Sequence, residues 1–141
     1  MAGIVGFGVA ALRVTRGDRC AGDVRKRARL EDAVRALGGV VVGDGVARLP
    51  DTVSVAFPGV DAADLCFALD LEGVAASAGA ACASGAAEPS AVLRAMGWLE
   101  RPGLAGGAVR FSLGPDTTDA DIALAVERLA RTLATFRASR G

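Results

Sequence analysis

Hydrophobic and polar positions fall into a few repeating patterns along the chain, and each pattern predicts an element. Residues 52–57 alternate, with Val53, Val55 and Phe57 on one side, as a half-buried strand requires. Residues 108–113 alternate again: Val109, Phe111 and Leu113 face one way, Arg110 and Ser112 the other. Residues 40–42 predict a shorter strand, followed by a turn at Gly43-Asp44-Gly45. Elsewhere the spacing is helical. Within 23–37, Leu30, Ala33, Val34 and Leu37 recur on one face with Arg and Glu opposite, and Gly38-Gly39 stops the run. Asp61 with Asp64 gives a capping-box-like start to a helix ending at Leu71 and closed by Gly73. Thr118 and Asp121 repeat that start for a last helix, whose Ile122, Val126, Leu129, Leu133 and Phe136 form one stripe.

Three segments are less regular. Residues 3–14 are apolar nearly all round, which predicts a helix covered on more than one side; Gly3, Gly6 and Gly8 suit close packing better than a phosphate loop. Residues 15–21 predict a break that leaves Cys20 near solvent. Residues 89–96 predict a short helix with Pro89 in its first position, followed by a Pro- and Gly-containing loop over 98–107. Strands and helices mix without a regular alternation. The expected fold class is therefore α/β, a short, mainly antiparallel sheet with helices packed on one face.

Composition narrows the function classes. The chain has 141 residues, the size of one domain, and a formal net charge of zero with arginines spread along it, so nothing points to nucleic acid. No apolar run reaches the length of a membrane span, and residues 1–12 lack the basic start of a signal peptide. The cysteines number three and histidine is absent. An odd count with no paired spacing argues against a disulfide framework or a metal site, and for a reducing, cytoplasmic setting. The 52% hydrophobic content is high for a short chain and implies a face made to be covered by something else.

Two residues carry candidate chemistry. Cys82 lies in a segment, 75–93, built almost wholly of Ala, Gly and Ser. A structural cysteine keeps company with Val, Leu and Ile, whereas a thiol on small residues is reachable, as a nucleophile must be. The plainer reading is a surface loop that happens to hold a cysteine. Cys66, inside a helix, reads as packing. Arg110 interrupts an apolar strand on the face away from the packing residues, where a guanidinium can hold a carboxylate through two parallel hydrogen bonds. Its plainer reading is an ordinary solvent-facing arginine.

The order of these motifs resembles the C-terminal small domain of cysteine desulfurases, in the class V aminotransferase family. The resemblance rests on Leu49-Pro50-Asp51-Thr52-Val53-Ser54-Val55-Ala56-Phe57-Pro58-Gly59-Val60 and on Leu69-Asp70-Leu71-Glu72-Gly73-Val74. It continues through Ser77, Gly79, Ala81, Cys82, Ser84, Gly85, Glu88, Pro89 and Ser90, then Arg110-Phe111-Ser112-Leu113-Gly114 and Thr117-Thr118. The long cysteine segment is similar to the branch that serves iron–sulfur assembly and tRNA thiolation. The resemblance implies the small domain of a fold-type I enzyme dependent on pyridoxal 5′-phosphate. Residues 1–37 would leave a large domain, and 38–141 would form the small domain. It implies that Cys82 is the nucleophile and persulfide carrier and that Arg110 holds the α-carboxylate of L-cysteine, with L-alanine as product. The partners implied are a sulfur acceptor or scaffold protein, a large cofactor-binding domain or split partner chain, and a second copy in a homodimer; no nucleic acid or membrane is expected.

The chain departs from that pattern. Ala stands at 78, 80, 83, 86 and 91, several of them polar positions in the family. The single lysine, Lys26, matches no cofactor-binding lysine, so no cofactor-binding residue is expected in this chain. The expectation is the tail of a longer enzyme whose start falls at a valine codon, GTG, or else one product of a split gene. Other readings are a stand-alone persulfide carrier or interaction module, a truncated remnant, and, less well supported, a class V aminotransferase.

Overall fold

The computed structural model describes residues 20–79 and 90–138, with positions 4, 5, 7, 8, 11 and 12 ahead of them. The elements are α1 (Cys20–Ala36), β1 (Val40–Val41), β2 (Thr52–Ala56), α2 (Ala62–Leu71), β3 (Ser77–Ala78), α3 (Ala91–Ala95), β4 (Val109–Ser112) and α4 (Asp119–Ala138). The strands form one sheet in the order β1-β2-β4-β3, and every pairing is antiparallel.

The alternation read from the sequence decides which face the helices cover. Val53, Val55, Val109 and Phe111 point to one side and meet Leu30 and Val34 of α1, Leu65 and Leu69 of α2, and Ile122, Leu129 and Leu133 of α4 in one core. Removing that apolar surface from water is the main force holding helices to sheet. Phe57 extends the same core beyond β2. The expected fold class therefore holds, with α1, α2 and α4 on one face.

Local chemistry fixes the helix ends. Asp61 accepts hydrogen bonds from the Ala63 and Asp64 N–H groups at 2.8 and 3.1 Å, the capping role its position predicted. At α4 the box is reciprocal: the Asp121 carboxylate accepts from the Thr118 N–H at 2.8 Å, and the Thr118 hydroxyl accepts from the Asp121 N–H at 3.1 Å. Bonds from the Thr118 hydroxyl and backbone hold the Asp121 carboxyl below its ordinary range.

Several expectations need correction. Residues 20–22 are helical, so the break expected over 15–21 does not include Cys20 and Ala21, and α1 starts ahead of Asp23; positions 15–19 lie outside the described residues. The short helix α3 begins at Ala91 with Ser90 as its cap, accepting from the Leu93 N–H at 3.4 Å, so its first position is not Pro89, which lies outside the described residues. A serine hydroxyl can accept from the helix's orphan N–H, and that cap sets the start. Positions 4, 5, 7, 8, 11 and 12 are helical, but Ile4, Val5 and Phe7 are exposed rather than covered.

Glu31 is the largest surprise. The sequence places it on the charged face of α1, yet it is only 5% exposed. Arg48, arriving from the β1–β2 connection, donates to both of its oxygens at 2.8 and 3.3 Å, and Arg27 and Arg35 lie at 3.3 and 3.6 Å. A buried carboxylate is tolerable only with such partners.

The loop expected over 98–107 also does more than connect. Trp98 and Leu104 are buried with Ala56, Leu93 and Ala108 in a second, smaller cluster on the face of the sheet away from α1, α2 and α4. Its seat leaves no space for a side chain at Gly106: a Cβ there would come within 2.5 Å of the Val60 carbonyl oxygen. The Gly106 carbonyl in turn accepts from the Ala62 N–H at 2.9 Å.

Candidate functional site

Register, rather than sequence proximity, assembles the site. Arg110 of β4 lies opposite Ser54 of β2 on one side and Ser77 of β3 on the other. Directly opposed side chains project from the same face, about 5 Å apart at Cβ. That face is the one turned away from α1, α2 and α4. It presents Ser54, Arg110 and Ser77 in a row, with Thr52 and Ser112 paired alongside. Toward the other end of the strands the same face is apolar, where Ala56 and Ala108 are roofed by Leu93, Trp98 and Leu104.

Arg110 is exposed and has no ion-pair or side-chain hydrogen-bond partner among the described residues. Most of the other described arginines are committed. Arg27, Arg35 and Arg48 surround Glu31; Arg29 pairs with Asp119 and Arg131 with Glu72; Arg128 and Arg137 donate to backbone carbonyls. Arg101 lies over the Trp98 ring at 4.6 Å. Arg110 thus offers an open guanidinium fork on a rigid strand, flanked by hydroxyl groups, the donor set that holds a carboxylate with fixed direction. The sequence reading found Arg110 by its place against the alternation. It overlooked Ser54 as a flanking group, although the polar positions of the same alternation were the signal for it.

Cys82 lies outside the described residues. Its described flanks are informative: β3, which leads toward it, pairs with β4 at Arg110 itself, and Ser90 caps α3 beyond it. Cys66 sits half-buried in α2 against the main core, and burial pushes its thiol pKa up, which keeps it in the unreactive protonated form. Cys20 is the first residue of α1.

The described residues do not fit pyridoxal phosphate. The single lysine, Lys26, sits on α1 and donates from Nζ to the Thr117 carbonyl, so it is already committed. Two grooves flank α4. One, of about 320 Å³, lies between the start of α4, residues 73–75 and the end of β4; the other, of about 310 Å³, lies between α2 and α4. Neither is lined by Arg110. No helix among the described residues is long and apolar enough to cross a membrane.

Comparison with known proteins agrees with this architecture. The family model for aminotransferase class V matches residues 1–124. A cysteine desulfurase of Cereibacter sphaeroides is 47% identical over 124 residues, covering 85% of this chain and 31% of that protein. A cysteine desulfurase of Rhodobacter capsulatus is 41% identical over 139 residues, covering 95% and 35%. The crystal structure of a NifS-like protein from Rickettsia africae superposes with a TM-score of 0.77 at 28% identity, covering 93% of this chain and 34% of that one. The chain therefore spans about a third of the length of the relatives it matches. With the alternating strands, the four-stranded antiparallel sheet and the family match all in agreement, the chain belongs to the class V aminotransferases.

Proposed function

We propose that this chain is the sulfur-accepting part of a cysteine desulfurase, in which Arg110 binds the α-carboxylate of L-cysteine and Cys82 takes the sulfur. The observation that carries this reading is the pairing of Ser77 with Arg110: the strand leading to Cys82 leaves the sheet beside the open guanidinium. Names of the matched relatives support the same chemistry.

In this reading Arg110 fixes the substrate by its carboxylate, with Ser54 and Ser77 as further donors beside it. The Cys82 thiolate attacks the substrate sulfur. A sulfur–sulfur bond forms as the substrate's carbon–sulfur bond breaks, and the carbon gains a proton, so L-cysteine and the Cys82 thiol become L-alanine and a Cys82 persulfide. A small-residue segment suits a thiol that must next reach an acceptor protein. The electron demand of carbon–sulfur cleavage is met outside this chain, by a cofactor-binding polypeptide of the kind that fills the rest of the relatives' length. The commitment of Lys26 to Thr117 also favours a second reading, in which the chain receives persulfide sulfur at Cys82 from another desulfurase.

The test is co-expression with the part of the Cereibacter sphaeroides relative that lies outside the match, followed by assay of alanine from L-cysteine. The proposal expects activity in the complex, abolished by Cys82→Ser. Arg110→Ala should raise KM by roughly tenfold or more, since a charged hydrogen bond is worth about 1.5–3 kcal/mol. Equal activity of the wild type and Cys82→Ser would overturn it. Persulfide on the chain only when a complete desulfurase is supplied would select the second reading.

A further inference from the structure

β3 is a strand of two residues, yet it is the one that sets Ser77 beside Arg110. The Leu113 N–H donates to the Asp51 carbonyl at 2.7 Å, so Val109, Phe111 and Leu113 turn their backbone groups toward β2. Successive strand residues point these groups to opposite sides, so those of Arg110 face β3. β3 pairs with β4 at two positions, Ser77 with Arg110 and Ala78 with Val109. Of these, only the Ser77–Arg110 pair is placed to exchange backbone hydrogen bonds. Val74, Ala76 and Ala78 turn inward against the main core, but the two alanines bury no more than a methyl group each. So short a strand needs an anchor elsewhere.

The anchor lies where α2 ends. The Val74 N–H bonds to the Leu69 carbonyl and the Gly73 N–H to the Asp70 carbonyl, both at 2.8 Å, and Gly73 takes a φ of +73°. This is a Schellman turn, and it redirects the chain from the helix toward β3. Two arginines of α4, three residues apart and so on one face of that helix, grip the turn from outside. Arg128 donates to the Gly73 carbonyl at 3.3 Å, and Arg131 pairs with the Glu72 carboxylate. A Cβ at Gly73 would lie 2.9 Å from the Arg128 Nη1, so the guanidinium sits directly against the turn. The chain is held at two consecutive residues, one by its main chain and one by its side chain, just ahead of β3.

We infer, resting on the proposed function for what Arg110 holds, that Arg128 and Arg131 are positioning residues for the carboxylate site. By gripping the end of α2 they keep β3 in register, and so keep Ser77 beside Arg110. Neither arginine lies on the Arg110 face, since α4 packs against the opposite one. They act on the site through Ser77. Without the grip, β3 retains one pair of backbone bonds and three small inward side chains, and its opening takes Ser77 away from the guanidinium. Arg110 itself stays in place, because β4 is paired to β2 over four residues. Loss of the grip therefore weakens the hold on a carboxylate without removing it.

The experiment follows amide hydrogen exchange in the full chain, and then KM for L-cysteine in the complex that tests the proposed function. In the variant Arg128→Ala with Arg131→Ala, the Ser77 amide should exchange about tenfold faster, while that of Val53, in the β2–β4 ladder, keeps its rate. Replacing both arginines by lysine, which keeps the charge and a donor, should restore most of the protection. If the alanine pair fails to fold, Glu72→Gln leaves α4 intact and should also speed exchange at Ser77. KM should rise about threefold in the alanine pair, and by a similar factor in Ser77→Ala. Adding the alanine pair to Ser77→Ala should raise KM no further, because the grip acts through Ser77. Unchanged exchange at Ser77 overturns the inference, as does equal acceleration at Val53, the mark of general loosening, or a KM effect that adds to that of Ser77→Ala. The two proposals fail separately. Faster Ser77 exchange in a protein whose complex forms no alanine keeps the grip and removes the desulfurase reading. Alanine formation with Ser77 exchange unchanged in the variant removes the grip and leaves the desulfurase.

Discussion

The two faces of the sheet are made by the same strands, yet they follow opposite rules. On the helix-covered face, Val53 and Val55 are fully buried and Phe111 nearly so, each replaceable only by something apolar of similar volume. On the other face, Ser54, Ser77 and Arg110 sit one residue away along the same backbones and are half-buried or exposed. The covered face holds the molecule together. The part of the other face around Arg110, outside the Trp98 cluster, adds little to stability, and its arginine has been left without a partner while most others found one. A cation kept uncommitted on a rigid strand serves a ligand better than it serves the fold.

That contrast can be broken or sharpened by substitution, read as urea unfolding followed by far-ultraviolet circular dichroism. Val55→Asp should cost more than about 4 kcal/mol and leave little folded protein, because it buries an unpaired charge. Its neighbour Ser54→Ala should stay within about 0.5 kcal/mol of wild type. Glu31→Ala should cost about 3–5 kcal/mol, since Arg27 and Arg48 would remain largely buried with no carboxylate between them. Thr118→Ala should cost about 0.5–2 kcal/mol through loss of the α4 cap. Arg110→Ala should lie within about 0.5 kcal/mol of wild type, and a large loss there would mean the open face is structural after all.

A pH effect follows from the same cap. The Asp121 carboxyl titrates below its ordinary value of 3.8 because the Thr118 hydroxyl and N–H donate to its charged form. A depressed pKa gives stability that is complete above the unfolded value and is lost as pH falls through the folded one. Acidification below about pH 4 should therefore fray the first turn of α4 in wild type. Asp121→Asn should remove that acid dependence, which chemical shifts of residues 119–122 would report.

Much of this was legible in the sequence wherever one short-range rule decided the outcome. Alternation gave β2 and β4 and the face of Arg110; Asp61 and the Thr118–Asp121 pair marked their helix starts. What was not legible depended on distant groups. Glu31 reads as a surface residue until Arg48 arrives from a loop beyond β1. Trp98 and Leu104 sit in a Pro- and Gly-rich stretch that looks like a linker, and only the fold lays them over Ala56 and Ala108. Pro89 is a plausible first helical residue, but Ser90 caps the helix instead. The juxtaposition of Ser77 with Arg110 follows from the strand order β1-β2-β4-β3, which no local pattern specifies. Cys82 itself was singled out by the small residues around it.

The most direct measurement is the mass of the Cys82-containing peptide after the complex with the cofactor-binding polypeptide has reacted with L-cysteine. The account predicts a gain of one sulfur atom at Cys82, released by a thiol reductant, with Cys66 unmodified. Sulfur on Cys66, or alanine formed with Cys82 unmodified and Cys82→Ser fully active, would contradict it.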